Sequence, residues 1–217
     1  MDNQNGAQQP CRRITPPSAG TMACKRAFDI VCSFLGLAIL SPLLLIVSVL
    51  VAVTSSGGVF FRQVRIGKDG KPFRIFKFRS MRKDNAGLKI TTGNDSRITP
   101  VGRFLRKSKV DELPQLINVL IGDMSFVGPR PEVADYVELY TPYQRQVLQV
   151  RPGITGLASI RFRNENDLLT ASDDPNRTYI EEVMPQKIAL DLEYIPHASV
   201  WYDIRLILET LVTVVRD

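Results

Sequence analysis

Lys109-Val110-Asp111-Glu112-Leu113-Pro114-Gln115-Leu116-Ile117-Asn118-Val119-Leu120 runs on into Gly122-Asp123-Met124-Ser125-Phe126-Val127-Gly128-Pro129-Arg130-Pro131. Leu113, Leu116, Ile117 and Leu120 follow the i, i+3, i+4, i+7 spacing of an amphipathic helix and are expected to form its buried face. Proline suits only the first turn of a helix, where its missing N–H would have had no partner, so Pro114 sets Asp111 at or next to the N-cap. Asp111 is then either a capping residue or part of a site. The site reading rests on the free amides and positive potential of a helix start, which favour phosphate. Adjacent residues diverge by about 100° around a helix, so Asp111 and Glu112 do not face each other, and one can attack while the other orients a divalent cation. Gly128-Pro129-Arg130-Pro131 fixes the backbone on both sides of a guanidinium whose planar fork suits phosphate.

Upstream, Arg103, Arg106, Lys107 and Lys109 form a basic cluster that is either a solvated helix face or a phosphate-facing one. Val59–Ile66 and Phe73–Met81 read as two strands joined by the turn Gly67-Lys68-Asp69-Gly70. Residues 84–96 read as a loop. From Ile30 to Phe61 no residue is charged. One membrane crossing needs roughly 20 apolar residues and two with a turn roughly 40, so this run is long for one and short for two. Lys25 and Arg26 precede the run, and Arg62, Arg65 and Lys68 follow it. Basic flanks mark the cytoplasmic side, so flanks at both ends favour a segment that enters and returns. Pro42 removes a backbone donor near its middle, and Ser41 can satisfy the freed carbonyl. A kinked crossing stays open on these residues alone. Near the C-terminus Trp201, Ile204, Leu208, Leu211 and Val215 fall at helical spacing, facing either the core or the lipid interface.

The whole chain has 217 residues, 44% hydrophobic, enough for one domain with appendages. A net charge of +6 suits anionic partners. Cys11, Cys24 and Cys32 all lie near the N-terminus, which argues against a disulfide framework, and one histidine, His197, gives no support to a zinc site or a Ser-His-Asp triad. Polar, proline-bearing residues 1–22 read as a disordered tail.

The ordered set Lys25-Arg26-Ala27-Phe28-Asp29, Ser41-Pro42, Phe61-Arg62-Gln63, Phe76-Lys77-Phe78-Arg79-Ser80-Met81, Asp111-Glu112-Leu113-Pro114-Gln115-Leu116, Gly128-Pro129-Arg130-Pro131 and Arg151-Pro152-Gly153-Ile154-Thr155-Gly156 resembles the bacterial sugar transferases, the monotopic phosphoglycosyl transferases of polyprenyl phosphate. The resemblance implies an α+β fold: a re-entrant membrane helix over 23–58, bent at Ser41-Pro42 and anchored by Lys25 and Arg26. A small β-hairpin and a helical catalytic body with interfacial amphipathic helices then occupy 59–217. It implies transfer of a sugar 1-phosphate from a UDP-sugar to undecaprenyl phosphate with release of UMP, early in exopolysaccharide or other glycoconjugate assembly. Asp111 is implied as the nucleophile and Glu112 as its dyad partner, both beside Mg2+. Arg106 and Arg130 are implied as phosphate contacts and Arg163 as a nucleotide contact. The implied location is the cytoplasmic face of the bacterial inner membrane, among inner-leaflet phospholipids, with no nucleic-acid partner and with a homodimer allowed. Leu157-Ala158-Ser159-Ile160-Arg161-Phe162-Arg163 departs from the Trp-Ala-Gln-Val-Asn-Gly-Arg of several relatives, which leaves the sugar open. A membrane phosphohydrolase acting on the same phosphates is the competing enzyme reading.

Overall fold

The computed structural model describes residues 13–55, 57–82 and 97–215. Helix α1 (Ala19–Thr54) starts where the Ser18 hydroxyl accepts from the Thr21 amide at 3.3 Å. That is earlier than the 23–58 segment expected. Ile14 also packs on the core and donates its amide to Gln146 Oε1 at 2.6 Å. The expected disordered tail is therefore corrected over 13–22, where an N-cap and an apolar anchor order the chain; its first part, residues 1–12, lies outside the described residues.

Along α1 one face meets the body at two places. Lys25, Asp29 and Ser33 are buried near its start, and Val47 and Val51 near its end, the latter two in a cluster with Phe78 and Leu105. Between them Ser41, Pro42 and Leu43 are all exposed, and Leu44 already packs against the second cluster. Ser41 Oγ donates to the Ala38 carbonyl at 2.8 Å, the acceptor that Pro42 leaves without its amide partner.

Strands β1 (Phe60–Ile66) and β2 (Pro72–Phe78) pair antiparallel from Phe60↔Phe78 to Ile66↔Pro72. Their turn holds Asp69 at φ 57°. The loop expected over 84–96 lies outside the described residues. Helix α2 (Pro100–Lys107) is capped by Thr99, whose hydroxyl accepts from Gly102 N at 2.9 Å.

Asp111 is not the N-cap of the next helix. Val110–Glu112 forms a separate 3₁₀ turn after Lys109 at φ 57°, and Pro114 caps α3 (Gln115–Ile121). The buried face is also rotated from the expected one: Gln115, Leu116, Asn118 and Val119 are buried, Leu113, Ile117 and Leu120 only half so, and Ile121 is exposed. The cause is contact from two sides. α1 lies against Leu116, whose methyl sits 3.3 Å from where a Cβ on Gly36 would fall. On the other side the Asn118 side chain docks on the β2 backbone, accepting from Phe76 N and donating to Arg74 O, both at 2.9 Å. Helix α3 ends at Gly122, φ 101°, a conformation suited to glycine.

Strand β3 (Ser125–Val127) runs parallel to β4 (Gly153–Thr155). Between them lie α4 (Ala134–Val137) and a 3₁₀ segment over 144–149. Helices α5 (Leu157–Arg161), α6 (Glu165–Thr170) and α7 (Pro175–Thr178) follow. A π-turn, Tyr179–Val183, leads into α8 (Met184–Tyr194), and α9 (Val200–Val215) is the last element. The largest core gathers Val127, Tyr136, Ile188, Leu192, Ile195 and Leu206. In α9 the core face is Asp203 and Leu206, whereas Trp201, Leu208, Leu211 and Val212 are exposed. The core reading of the Trp201–Leu208–Leu211 stripe is thus corrected. The fold class is α+β.

Candidate active site

The two Gly/Pro/Arg motifs are one structure. Ser125 N donates to Pro152 O at 2.8 Å, Gly153 N to Pro129 O at 2.9 Å and Gly128 N to Thr155 O at 3.0 Å. The backbones meet so closely that a Cβ on Gly153 would lie 2.2 Å from Gly128 N, and one on Gly128 2.4 Å from Arg151 O. Only glycine permits that approach. The loop leaving this junction carries Arg130 to the dyad.

Glu112 is held on two sides by cations. Lys77 Nζ donates to its Oε1 at 2.8 Å, and Arg130 Nη2 lies 3.6 Å from the same oxygen. Burial alone would raise the Glu112 pKa, but these two charges override it and hold the carboxyl well below the usual range. Asp111 behaves oppositely. It is buried, its Oδ1 has no hydrogen-bond partner, and burial together with the Glu112 charge pushes it up to about 6. Adjacent carboxylates with divergent acidities suit divided roles. The Arg106 charge acts on Asp111, and its Nη1 contacts Met81 Sδ at 3.2 Å. Lys109 also acts on both carboxylates, whereas Arg103 and Lys107 are exposed, so the basic cluster splits between the two readings.

The Arg130 loop is braced from behind. Arg65 Nη1 reaches Pro131 O at 3.2 Å and Glu132 at 3.4 Å, and the Tyr179 hydroxyl donates to the same Glu132. Asp191 accepts the backbone amides of Arg130 and Ala158, and burial pushes it up to about 7. Arg163 is half-buried in the turn between α5 and α6, two residues before Glu165, whose charge acts on Arg130.

Lys25 and Arg26 are not surface anchors. Lys25 is buried and pairs with Asp203, with further bonds to Ser125 Oγ at 2.6 Å and Val127 O at 3.0 Å. Arg26 donates to Val119 O at 2.6 Å and Leu120 O at 2.8 Å, capping the C-terminus of α3. Both basic groups find acceptors inside the protein, which displaces the membrane-anchor role expected for them.

Lys77, Arg65 and Gln115 were not singled out in the sequence as site residues. Lys77 did carry a signal: on a core-facing strand face it stands two places after buried Ile75, where a lysine requires a counter-charge. The described residues contain no cluster of three or more His, Cys, Asp or Glu. Mg2+ nevertheless fits, because it binds through one or two carboxylates and fills its remaining positions with water and phosphate oxygens. Asp111, with its unpartnered Oδ1, and Glu112 are the residues that would hold it.

The described residues combine a helix long and apolar enough to cross a membrane with a carboxylate pair flanked by Lys77 and Arg130. The chain belongs to the bacterial sugar transferase family, whose model matches residues 20–217. That is a family of transferases. The chain is 41% identical to the UDP-glucose:undecaprenyl-phosphate glucose-1-phosphate transferase of Escherichia coli K12, over 97% of this chain and 44% of that protein. Identity is 42% with the exopolysaccharide production protein PSS of Rhizobium leguminosarum bv. phaseoli, over 88% of this chain and 95% of the relative. The UDP-N-acetylgalactosamine-undecaprenyl-phosphate N-acetylgalactosaminephosphotransferase of Aeromonas hydrophila is 37% identical, over 88% of this chain and 43% of the relative. The chain thus spans less than half the length of the E. coli and Aeromonas proteins.

Proposed function

We propose that this chain transfers a sugar 1-phosphate from a UDP-sugar to undecaprenyl phosphate, through a covalent intermediate on Asp111. The observation that carries the proposal is the unpartnered, buried Oδ1 of Asp111 beside a Glu112 already committed to Lys77 and Arg130. Asp111 is free to attack, and at neutral pH its carboxyl is largely ionised while retaining more basicity than an exposed aspartate. Its oxygen forms a bond to the phosphorus that bears the sugar. The bond from that phosphorus to the bridging oxygen breaks, and UMP leaves with the electron pair. An oxygen of the lipid phosphate then attacks the acyl phosphate, giving the diphosphate-linked lipid sugar and restoring the carboxylate. Arg130, Lys77 and Arg106 offset charge that would otherwise repel an anionic nucleophile from a diphosphate. Mg2+, when bound, supplies further charge neutralisation at the transferring phosphoryl group. Arg163 is assigned to the nucleotide, and UDP-glucose is the first donor to try, from the names of the relatives.

The site belongs at the cytoplasmic face of the bacterial inner membrane, with α1 entering one leaflet and returning. Support comes from the two seats of α1 on one body and the exposed Ser41-Pro42-Leu43 apex. Intact mass after incubation with UDP-glucose and Mg2+, without lipid acceptor, is expected to show a phosphosugar adduct that disappears in Asp111→Asn. An adduct that persists in that variant would rule out Asp111 as the nucleophile. Product formation from water alone, indifferent to undecaprenyl phosphate, would favour a phosphohydrolase.

A further inference from the structure

Behind the Glu112 ion pairs lies a small cleft whose lining includes Arg65, Lys77, Gln115 and Arg130. Two buried donors there have no acceptor: Gln115 Nε2 and Arg65 Nε. Gln115 is 2% exposed, so its amide has no ready access to bulk solvent. Arg65 is held in place by its other nitrogens, Nη1 on Pro131 O and Glu132 and Nη2 on Gln63 Oε1 at 2.8 Å, which leaves Nε–H as the donor to spare. An unpaired buried donor costs stability until an acceptor reaches it, and an oxygen of a bound ligand is one group that can do so.

The cleft is a donor-rich, cationic place. Three cations surround it, and their acidic partners, Glu112 and Glu132, are already engaged. The complementary group is therefore an oxyanion.

We propose that Gln115 and Arg65 form a donor pair for a phosphoryl oxygen of the substrate, making Gln115 a substrate-contacting residue of the reaction proposed above, on which this reading rests. The oxygen comes either from the nucleotide diphosphate or from the lipid monophosphate, and the two are separable by experiment. The full chain is prepared in nanodiscs as wild type, Gln115→Leu and Gln115→Glu. Binding of UDP is measured in one arm and of undecaprenyl phosphate, added to phosphatidylglycerol–phosphatidylethanolamine discs, in the other. Ligand-free unfolding midpoints are recorded alongside.

The expected signature has opposite signs. Gln115→Leu removes an unpaired donor, so the ligand-free midpoint holds or rises, while affinity for one probe falls about tenfold or more, as for loss of a hydrogen bond to a charged group. Gln115→Glu lowers the same affinity further by adding negative charge. Loss confined to the UDP arm assigns the oxygen to the donor, and loss confined to the lipid arm assigns it to the acceptor. Affinities within twofold of wild type in both arms would overturn the proposal, and so would a lowered midpoint with unchanged affinity. If Gln115→Leu does not fold, Gln115→Met keeps the side-chain length and answers the same question. UMP release by the wild type separates the two readings. UDP binding that needs Gln115 without any UMP release keeps the cleft and sinks the transferase, whereas UMP release indifferent to Gln115 sinks the cleft alone.

Discussion

At the residue scale the site is defined by how differently two neighbouring carboxyls are treated. Glu112 is locked between Lys77 and Arg130, and Asp111 keeps an unpaired oxygen with its pKa raised to about 6. Activity is therefore expected to carry an acid limb: kcat/KM for UMP release should fall roughly tenfold per pH unit below about 6, as the nucleophile protonates. A flat profile from pH 5 to 8 would contradict that role. The same raised pKa has a consequence for stability, with a definite sign. Between the unfolded value of 3.8 and about 6 the folded state binds the extra proton, so the contribution of Asp111 to stability declines as pH rises through that window. Asp111→Asn, which mimics the neutral acid, should stabilise the ligand-free protein at pH 7.5 by about 1–3 kcal/mol, and by less at pH 5. Unfolding midpoints at the two pH values check both the sign and the trend. Lys77→Met should do the reverse, costing about 3 kcal/mol, because it strips the half-buried Glu112 carboxylate of its hydrogen-bonded lysine.

At the scale of elements, the β3–β4 pair sets the position of Arg130. Gly153→Ala would drive a methyl to 2.2 Å from the Gly128 nitrogen, where the obstacle is backbone rather than a flexible side chain. A loss of about 3 kcal/mol or more is expected, with UMP release falling faster than stability because the guanidinium moves with the loop. Gly20→Ala, at an exposed site early in α1, is the control and should be neutral or slightly stabilising. This junction shows what the sequence could and could not convey. Gly128-Pro129-Arg130-Pro131 was legible as a rigid, arginine-bearing turn, and Pro114 correctly limited how far upstream α3 could begin. That the two Gly/Pro motifs pair in parallel across the intervening chain was not legible, because local spacing carries no information about which distant backbone comes close. The buried face of α3 was misplaced for a related reason. A 3.6-residue period finds one apolar stripe, but α3 packs on α1 on one side and is tied through its own Asn118 to the β2 backbone on the other. Lys77 escaped notice because its partner lies in a separate segment.

Across the whole molecule, the α1 helix is the element that joins the site to its surroundings, and its seating is polar as well as apolar. Lys25 and Asp203 form a buried pair extended by Ser125, Tyr194 and Asp29, which ties the start of α1 to β3 and α9. The far end rests through Val47 and Val51 on Phe78 and Leu105, near the hairpin that carries Lys77. A straight helix of this length would extend about 54 Å, well beyond a hydrocarbon core of about 30 Å. A single crossing would also pull one of the two seats away from the body, exposing either a charged pair or an apolar cluster. Entry and return keep both, with the exposed Ser41-Pro42-Leu43 stretch as the deepest point. The prediction is topological and does not depend on activity. With the native cysteines replaced by serine, Gly20→Cys and Thr54→Cys should both react with a membrane-impermeant maleimide from the cytoplasmic side, in inverted vesicles and not in right-side-out ones. Leu43→Cys should be protected in both. Labelling of positions 20 and 54 from opposite faces would mean that α1 crosses the bilayer, and the seats on the body would then have to separate in the membrane.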